Sequence, residues 1–323
     1  MPGLKEIAEL AGVSVSTVSN VLNERSNVGP DTKDKILKIC AEVGYLPNTL
    51  RKKAKMSHSK TVMFIFSDFD RHFYLKIING ISDCLTENGY DFMICTNKSS
   101  IHFIENRLAC GIISLDSSMT DEDLLAIAKP DLPVVLMDRI IDHPRGFTKS
   151  VIVDNYPIMC EMVQQLVNKG FRRFGFMGGV EHTLDTQERF AGLEDTLALH
   201  DIVFDRKYYF HGNYREESGY QAAKIMILGN DLPEVLVCAN DNMAIGAIRA
   251  FAEHRLRVPE DISVVGFDDS AAAAAAGLTT ISVPRYESGY LAAKKLIEMT
   301  EGSASKEAFK LSAAICWRQS VRG

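Results

Sequence analysis

No uninterrupted apolar run in the 323-residue chain approaches roughly 18 residues, so nothing in it reads as a membrane-spanning helix. The amino terminus has no basic-then-apolar stretch of the kind that directs export. The seven cysteines, Cys40, Cys84, Cys95, Cys110, Cys160, Cys238 and Cys316, form no CxxC pair and lie mostly in apolar runs. Buried reduced thiols and a cytoplasmic location follow as expectations. The eight histidines show no metal-ligand spacing, and no cofactor is expected. Catalytic signatures are scarce as well. The run Gly175-Phe176-Met177-Gly178-Gly179-Val180 follows a strand pattern but lacks GxGxxG spacing and a ribose-binding acid, and no GxSxG occurs, so an enzyme is not expected.

What is present points to a globular protein of two or three domains: 46% hydrophobic residues, 24% charged, and a length beyond one ordinary core. The formal net charge of -6 argues by itself against nucleic acid, but its distribution reverses that argument. Residues 1–57 hold nine Lys/Arg against six Asp/Glu, a net of +3, so the remainder carries -9. A basic head on an acidic body is expected when only the head meets phosphate.

That head contains a helix-turn-helix pattern. Leu4, Ile7, Ala8 and Ala11 recur at helical spacing, Gly12 suits a left-handed helix stop, and Ser14 suits the cap of a second helix. In the second helix Val18, Val21 and Leu22 share one face, leaving Val15, Ser16, Thr17, Ser19 and Asn20 on the other. Short hydroxylic and amide side chains let a helix approach base edges in the major groove, where Asn can pair bidentately with adenine. A small three-helix interaction domain with a polar face is the competing interpretation. A third helix is predicted over residues 30–43, with Ile36, Leu37, Ile39 and Cys40 closing a small core.

The wording of LKEIAELAGVSVSTVSNVLN, with GYLPN at residues 44–48, closely resembles the headpiece of the lactose-repressor (LacI/GalR) family of bacterial transcription regulators. The resemblance runs through most of the chain. It implies a homodimer whose paired headpieces bind near-palindromic double-stranded operator DNA. Base reading falls to Val15, Ser16 and Asn20, and backbone positioning to Thr17 and Ser19, with Asn23, Tyr45 and Asn48 also at the DNA. The basic segment after Pro47 matches the family's hinge, in which a leucine wedges the minor groove. Here Ala54 stands at that position, flanked by Leu50, Arg51 and Met56. A methyl group cannot wedge as an isobutyl group does, so either Leu50 or Met56 substitutes or binding leans more on phosphate charge.

From Thr61 strands that are apolar on both faces alternate with helices, the mark of parallel sheets covered on both sides. The strands read at residues 62–66, 91–95, 111–115, 134–137 and 150–153, then at 235–239 and 262–267; the helices read at 73–88, 157–168, 186–200, 242–253 and 286–300. The segment 96–110 is short for the family's usual helix. The six alanines Ala271 to Ala276 read as a short helix. By resemblance the whole is a small all-α headpiece (1–46), a hinge (47–60) and a periplasmic-binding-protein-like core (61–323) of two doubly wound lobes. The first lobe takes about 61–154 and 286–315, the second about 155–285, and residues 311–318 are expected to complete the first. The absence of a heptad-patterned tail suggests a dimer rather than a tetramer.

The cleft between such lobes is the natural ligand site. Arg189, Asn240 and Asp268 match the family's ligand-binding positions, and Asp241 is read as a helix cap. Phe73, Tyr74 and Tyr214 lie where the family places aromatic contacts, although core packing competes for Phe73, and Asp154 falls at a crossover strand end. The resemblance implies a sugar or sugar phosphate as ligand, with a nucleobase-responsive regulator or a sugar-binding transport receptor as alternatives.

Overall fold

The structure, a computed structural model, describes residues 4–22, 28–42, 60–68, 74–302 and 308–323. The headpiece consists of α1 (Leu4–Ala11), α2 (Val15–Leu22) and α3 (Pro30–Glu42). The turn between the first two is set locally. Gly12 takes a φ of +67°, a conformation open to glycine, and Ser14 Oγ accepts from the Thr17 backbone N–H at 3.1 Å to cap α2. Ile7, Ala8, Ala11, Val18, Val21, Leu22, Ile36 and Cys40 form the core. Leu37, expected in that core, is exposed. It stands one residue from Ile36, about 100° around the helix, whereas Ile39 and Cys40 follow at the spacing of three and four that keeps one face.

In the remainder, the first lobe contains β1 (Thr61–Ile65), α4 (Tyr74–Glu87), β2 (Asp91–Cys95), α5 (Asn97–Glu105), β3 (Gly111–Ser114), α6 (Asp121–Ile127), β4 (Val134–Leu136) and β5 (Thr148–Val153). The second contains α7 (Asn155–Asn168), β6 (Phe174–Gly178), α8 (Leu184–Leu199), β7 (Tyr209–His211), α9 (Glu216–Leu228), β8 (Val235–Cys238), α10 (Asp241–Glu253), β9 (Ser263–Asp268), α11 (Ala271–Ala275) and β10 (Thr279–Ser282). The chain then returns through α12 (Arg285–Thr300) and β11 (Phe309–Leu311) to the first lobe and ends with β12 (Ala314–Cys316). The first sheet is ordered β11-β5-β4-β3-β1-β2 and the second β12-β10-β9-β8-β6-β7. All pairings are parallel except β12 with β10.

Each sheet is buried between helices, and each lobe has its own core. In the first, α4 and α12 pack backbone to backbone because Gly80 faces the Tyr286 carbonyl and Gly289 the Ile77 carbonyl, positions without room for a Cβ.

Three sequence expectations change. Segment 96–110 does form a helix, α5: Thr96 begins it, its carbonyl accepting from Ser100 N–H at 3.0 Å and its hydroxyl meeting Ser99 Oγ at 2.8 Å. Helix α6, announced by a Thr120–Asp123 capping box, helix α9 and strand β7 add elements that the periodicity did not mark out. Residues 311–318 do not stay with the first lobe. Only β11 joins its sheet, while β12 crosses to pair with β10, Ile315 opposite Ile281, and covers what would otherwise be an open sheet edge. The alanine run is the helix expected of it.

Candidate functional site

Two surfaces carry chemistry. On α2 the apolar face is sealed into the headpiece core, and Val15, Ser16, Thr17, Ser19 and Asn20 occupy the remaining, solvent-accessible side. Ser14, which sequence reasoning assigned only to capping, also organises this face: its Oγ lies 2.7 Å from Ser16 Oγ and 2.8 Å from Thr17 Oγ1. The hydroxyls are thus held in a short chain at the start of the helix. Asn23, Tyr45, Asn48, Leu50, Arg51, Ala54 and Met56, together with Phe73, lie outside the described residues.

The second surface is the cleft between the lobes, where the carboxyl ends of both sheets meet. In the second lobe Arg189, on α8, is only 2% exposed in its side chain. Its Nε donates to Asn155 Oδ1 at 2.9 Å and its Nη1 to the Ala239 carbonyl at 2.5 Å, while Nη2 stands 3.3 Å from Asp185 Oδ2. The guanidinium lies 3.5 Å from the centroid of the Phe267 ring, which supports it from one side. Asn155, wholly buried at the start of α7, locks the cluster by donating to Asp185 Oδ1 at 2.9 Å. Buried charge of this kind is tolerated only with such partners.

Asp268 ends β9 at a φ of +116° and pairs with Arg285 at the start of α12; Asp269 follows at +54° and binds Arg318 at 2.6 Å. Tyr214 packs its ring over Gly179, where no Cβ would fit, and its phenol oxygen shares hydrogen bonds with Thr183 at 2.9 Å and Thr186 at 2.6 Å. An ion pair from Arg215 to Asp68, 2.8 Å long, ties the second lobe to the first. Asp138 and Arg139, at the end of β4, form a further pair at 2.9 Å. Sequence reasoning missed Asp138, Arg139, Asn155, Asp185, Arg215 and Arg285. Only Asp138 and Arg139 left a signal, a polar pair directly after an apolar strand.

Three residues expected at the ligand make contacts within the protein. Asn240, not Asp241, caps α10: its Oδ1 accepts from Met243 N–H at 3.0 Å and its Nδ2 donates to the Tyr214 carbonyl at 2.9 Å. The cap falls to Asn240 because the capping residue must precede the first helical turn, which Asp241 begins. Tyr74 is buried and packs on Phe66 with centroids 5.0 Å apart. Asp154 pairs with Lys310 at 3.2 Å and, with Tyr156, Gln187 and Glu188, borders an open depression of about 580 Å³.

Asp241 is a buried carboxylate that accepts from Ser270 N–H at 2.7 Å and from the Thr280 hydroxyl at 2.5 Å. Burial, reinforced by the charge of Asp268, raises its pKa from 3.8 to about 7, against the pull of those hydrogen bonds. The folded state therefore keeps a proton that the unfolded chain releases near pH 4. Stability falls as the pH rises from 4 to 7 and levels off above, by roughly 4 kcal/mol at most. Urea unfolding should show a lower midpoint at pH 8 than at pH 5, and Asp241→Asn should flatten that slope; a variant with the wild-type slope would show that other groups produce it.

Among the described residues no group of three His, Cys, Asp or Glu is placed to hold a metal ion, and no helix is long and apolar enough to cross a membrane.

Comparison with known proteins adds to this geometry. Residues 3–48 match the model of bacterial regulatory proteins of the lacI family, and residues 163–321 that of a periplasmic binding protein-like domain. The chain is 31% identical over 306 residues to the HTH-type transcriptional regulator RegA of Clostridium saccharobutylicum, covering 92% of each. Among solved structures it is similar to the lac repressor dimer bound to operator and the anti-inducer ONPF, at 26% identity and a TM-score of 0.75, covering 100% of this chain and 99% of that one. It is also similar to a complex of the transcriptional regulator CelR with cellobiose, at 26% identity and a TM-score of 0.74, covering 99% and 100%.

Proposed function

The chain belongs to the lacI family of bacterial regulatory proteins, DNA-binding transcription regulators and not enzymes, and on that premise we propose that it is a repressor of carbohydrate-metabolism genes. Paired headpieces of a homodimer bind a near-palindromic operator, and a sugar or sugar phosphate in the cleft changes operator affinity. The observation that carries the first half is the α2 face, a hydroxyl chain and an amide on a helix whose other side is sealed. The cellobiose complex of a related regulator and the buried Arg189 cluster support the second.

In this mechanism Val15, Ser16 and Asn20 read bases, while Thr17, Ser19, Asn23, Tyr45 and Asn48 position the sugar-phosphate backbone. The hinge around Leu50, Arg51, Ala54 and Met56 adds charge and minor-groove contact. Arg189, Tyr214 and Asp268 face the ligand. Ligand-dependent closure rotates the first lobes of the dimer and so respaces the hinges, a coupling typically of about 1–3 kcal/mol in allosteric systems.

The test is retardation of promoter fragments from the same genome by the purified protein at low salt, with and without a panel of sugars. Failure to retard any fragment under either condition overturns the proposal. Asn20→Ala is expected to weaken specific binding by roughly 1–3 kcal/mol and to relax one operator position. A uniform loss across operator variants would assign Asn20 to phosphate instead.

A further inference from the structure

The chain crosses between the lobes after β5, after β10 and between β11 and β12. In the first sheet β5 and β11 lie together at one edge, and in the second β10 and β12 do the same, so the crossings gather on one side of each sheet. Away from that side an ion pair spans the lobes: Arg215 Nη2 donates to Asp68 Oδ1 at 2.8 Å. Asp68 follows β1, which lies next to the far edge strand β2, and Arg215 follows β7, the far edge strand of the second sheet.

Both partners stand on fixed bases. Beside Asp68, Ser67 Oγ donates to the buried Asp116 at 2.5 Å and accepts from Asn97 N–H at 3.2 Å. The Arg215 N–H donates to Asn213 Oδ1 at 3.1 Å and its carbonyl accepts from Ser218 Oγ at 2.8 Å. Tyr214 before it is buried, and its carbonyl accepts from Asn240 Nδ2 at 2.9 Å. Parting the lobes beyond the reach of these two side chains therefore breaks the pair. Hinged bodies separate most at the points farthest from the hinge, so a contact placed there resists opening from the start. By contrast, the pairs of Arg285 with Asp268 and of Lys310 with Glu188, the latter at 3.9 Å, stand beside the crossings, where the same motion displaces them little.

We propose that Asp68 and Arg215 form a clasp that holds the lobes together on the side away from the crossings and so biases the protein toward closure before any ligand arrives. Side-chain exposures of 25% and 38% leave the pair open to dissolved ions, so its grip weakens as salt rises. The clasp is independent of what the cleft binds: its failure leaves sugar control of operator binding in place, and the failure of that function leaves the clasp in place.

Double electron–electron resonance on the ligand-free full-length protein tests this, with spin labels on genetically encoded residues at positions 98 and 182 and the cysteines untouched. Lys98 at the start of α5 and His182 before α8 are exposed and lie on the side of the clasp. A short distance is expected to dominate in low salt. Asp68→Asn and Arg215→Gln should each raise the ratio of long to short distances about three- to fivefold, the effect open to a partly exposed ion pair. High salt should move the wild type the same way and leave the two variants where they are. Asp68→Arg combined with Arg215→Asp should return the wild-type distribution and its response to salt. Single variants indistinguishable from the wild type overturn the clasp, as does opening that the charge swap does not reverse. A wild type that is mainly open in low salt, or whose distribution ignores salt, overturns it without any variant.

Discussion

Arg189→Met is expected to abolish the response of operator retardation to sugar and to lower sugar affinity by about 30-fold or more, since truncating one member of a buried, hydrogen-bonded charge pair costs roughly 2–5 kcal/mol. Methionine keeps much of the length and the apolar contact with Phe267 but removes every donor. Asn155 Oδ1 and the Ala239 carbonyl then lose their partner inside the lobe. Those two orphaned acceptors cost about 1–3 kcal/mol each, so the melting temperature of the core should also fall by several degrees. Sugar titrations at fixed operator, combined with thermal unfolding, separate the two effects. A destabilised variant that still binds sugar with wild-type affinity would leave Arg189 a structural residue and remove it from the site.

Val18→Asp should eliminate operator binding at every salt concentration while ligand binding in the cleft changes by less than about twofold. Val18 is fully buried and is one of eight buried core residues of the headpiece among those described. Burying an unpaired carboxylate costs several kcal/mol, as much as a unit of this size can muster for its own stability. Among the described residues the two lobe cores share none with that cluster, which is why the cleft is expected to keep its affinity. Circular dichroism should show a loss of helix limited to the headpiece. The comparison with Asn20→Ala is informative, because that residue lies on the accessible side of the same helix and its loss alters recognition without unfolding. Persistent retardation of an operator by Val18→Asp would show that α2 is not the element that reads DNA.

Local physics accounts for what could be read in advance. Gly12 and Ser14 announced the turn through backbone freedom and capping, and the strand runs were legible because a parallel sheet buried on both faces needs continuous apolar residues. The alanine run was legible as a helix for the same kind of reason. The misses have a common cause in contacts distant along the chain. Nothing near residue 314 shows that its strand pairs with β10 and not with the first sheet. Tyr74 had the composition of a ligand contact, but Phe66 and the lobe core claim it. Asn240 and Asp241 are adjacent and chemically alike; their division of labour is settled by Met243 N–H on one side and Ser270 with Thr280 on the other.

Periodicity, capping and charge distribution by themselves therefore determined a basic helix-turn-helix head and an acidic α/β body, because such signals arise between residues a few positions apart, while the resemblance to the family supplied the DNA-reading role and the two lobes. Which side chains meet in the cleft was decided only by the tertiary structure. Asn155, Asp185 and Arg189 come from two helices and meet the Ala239 carbonyl after β8, while Arg215 and Asp68 join across the lobes, so their partnership depends on how the sheets place those elements. No local pattern encodes those distances, yet they settle which polar atoms are satisfied within the protein.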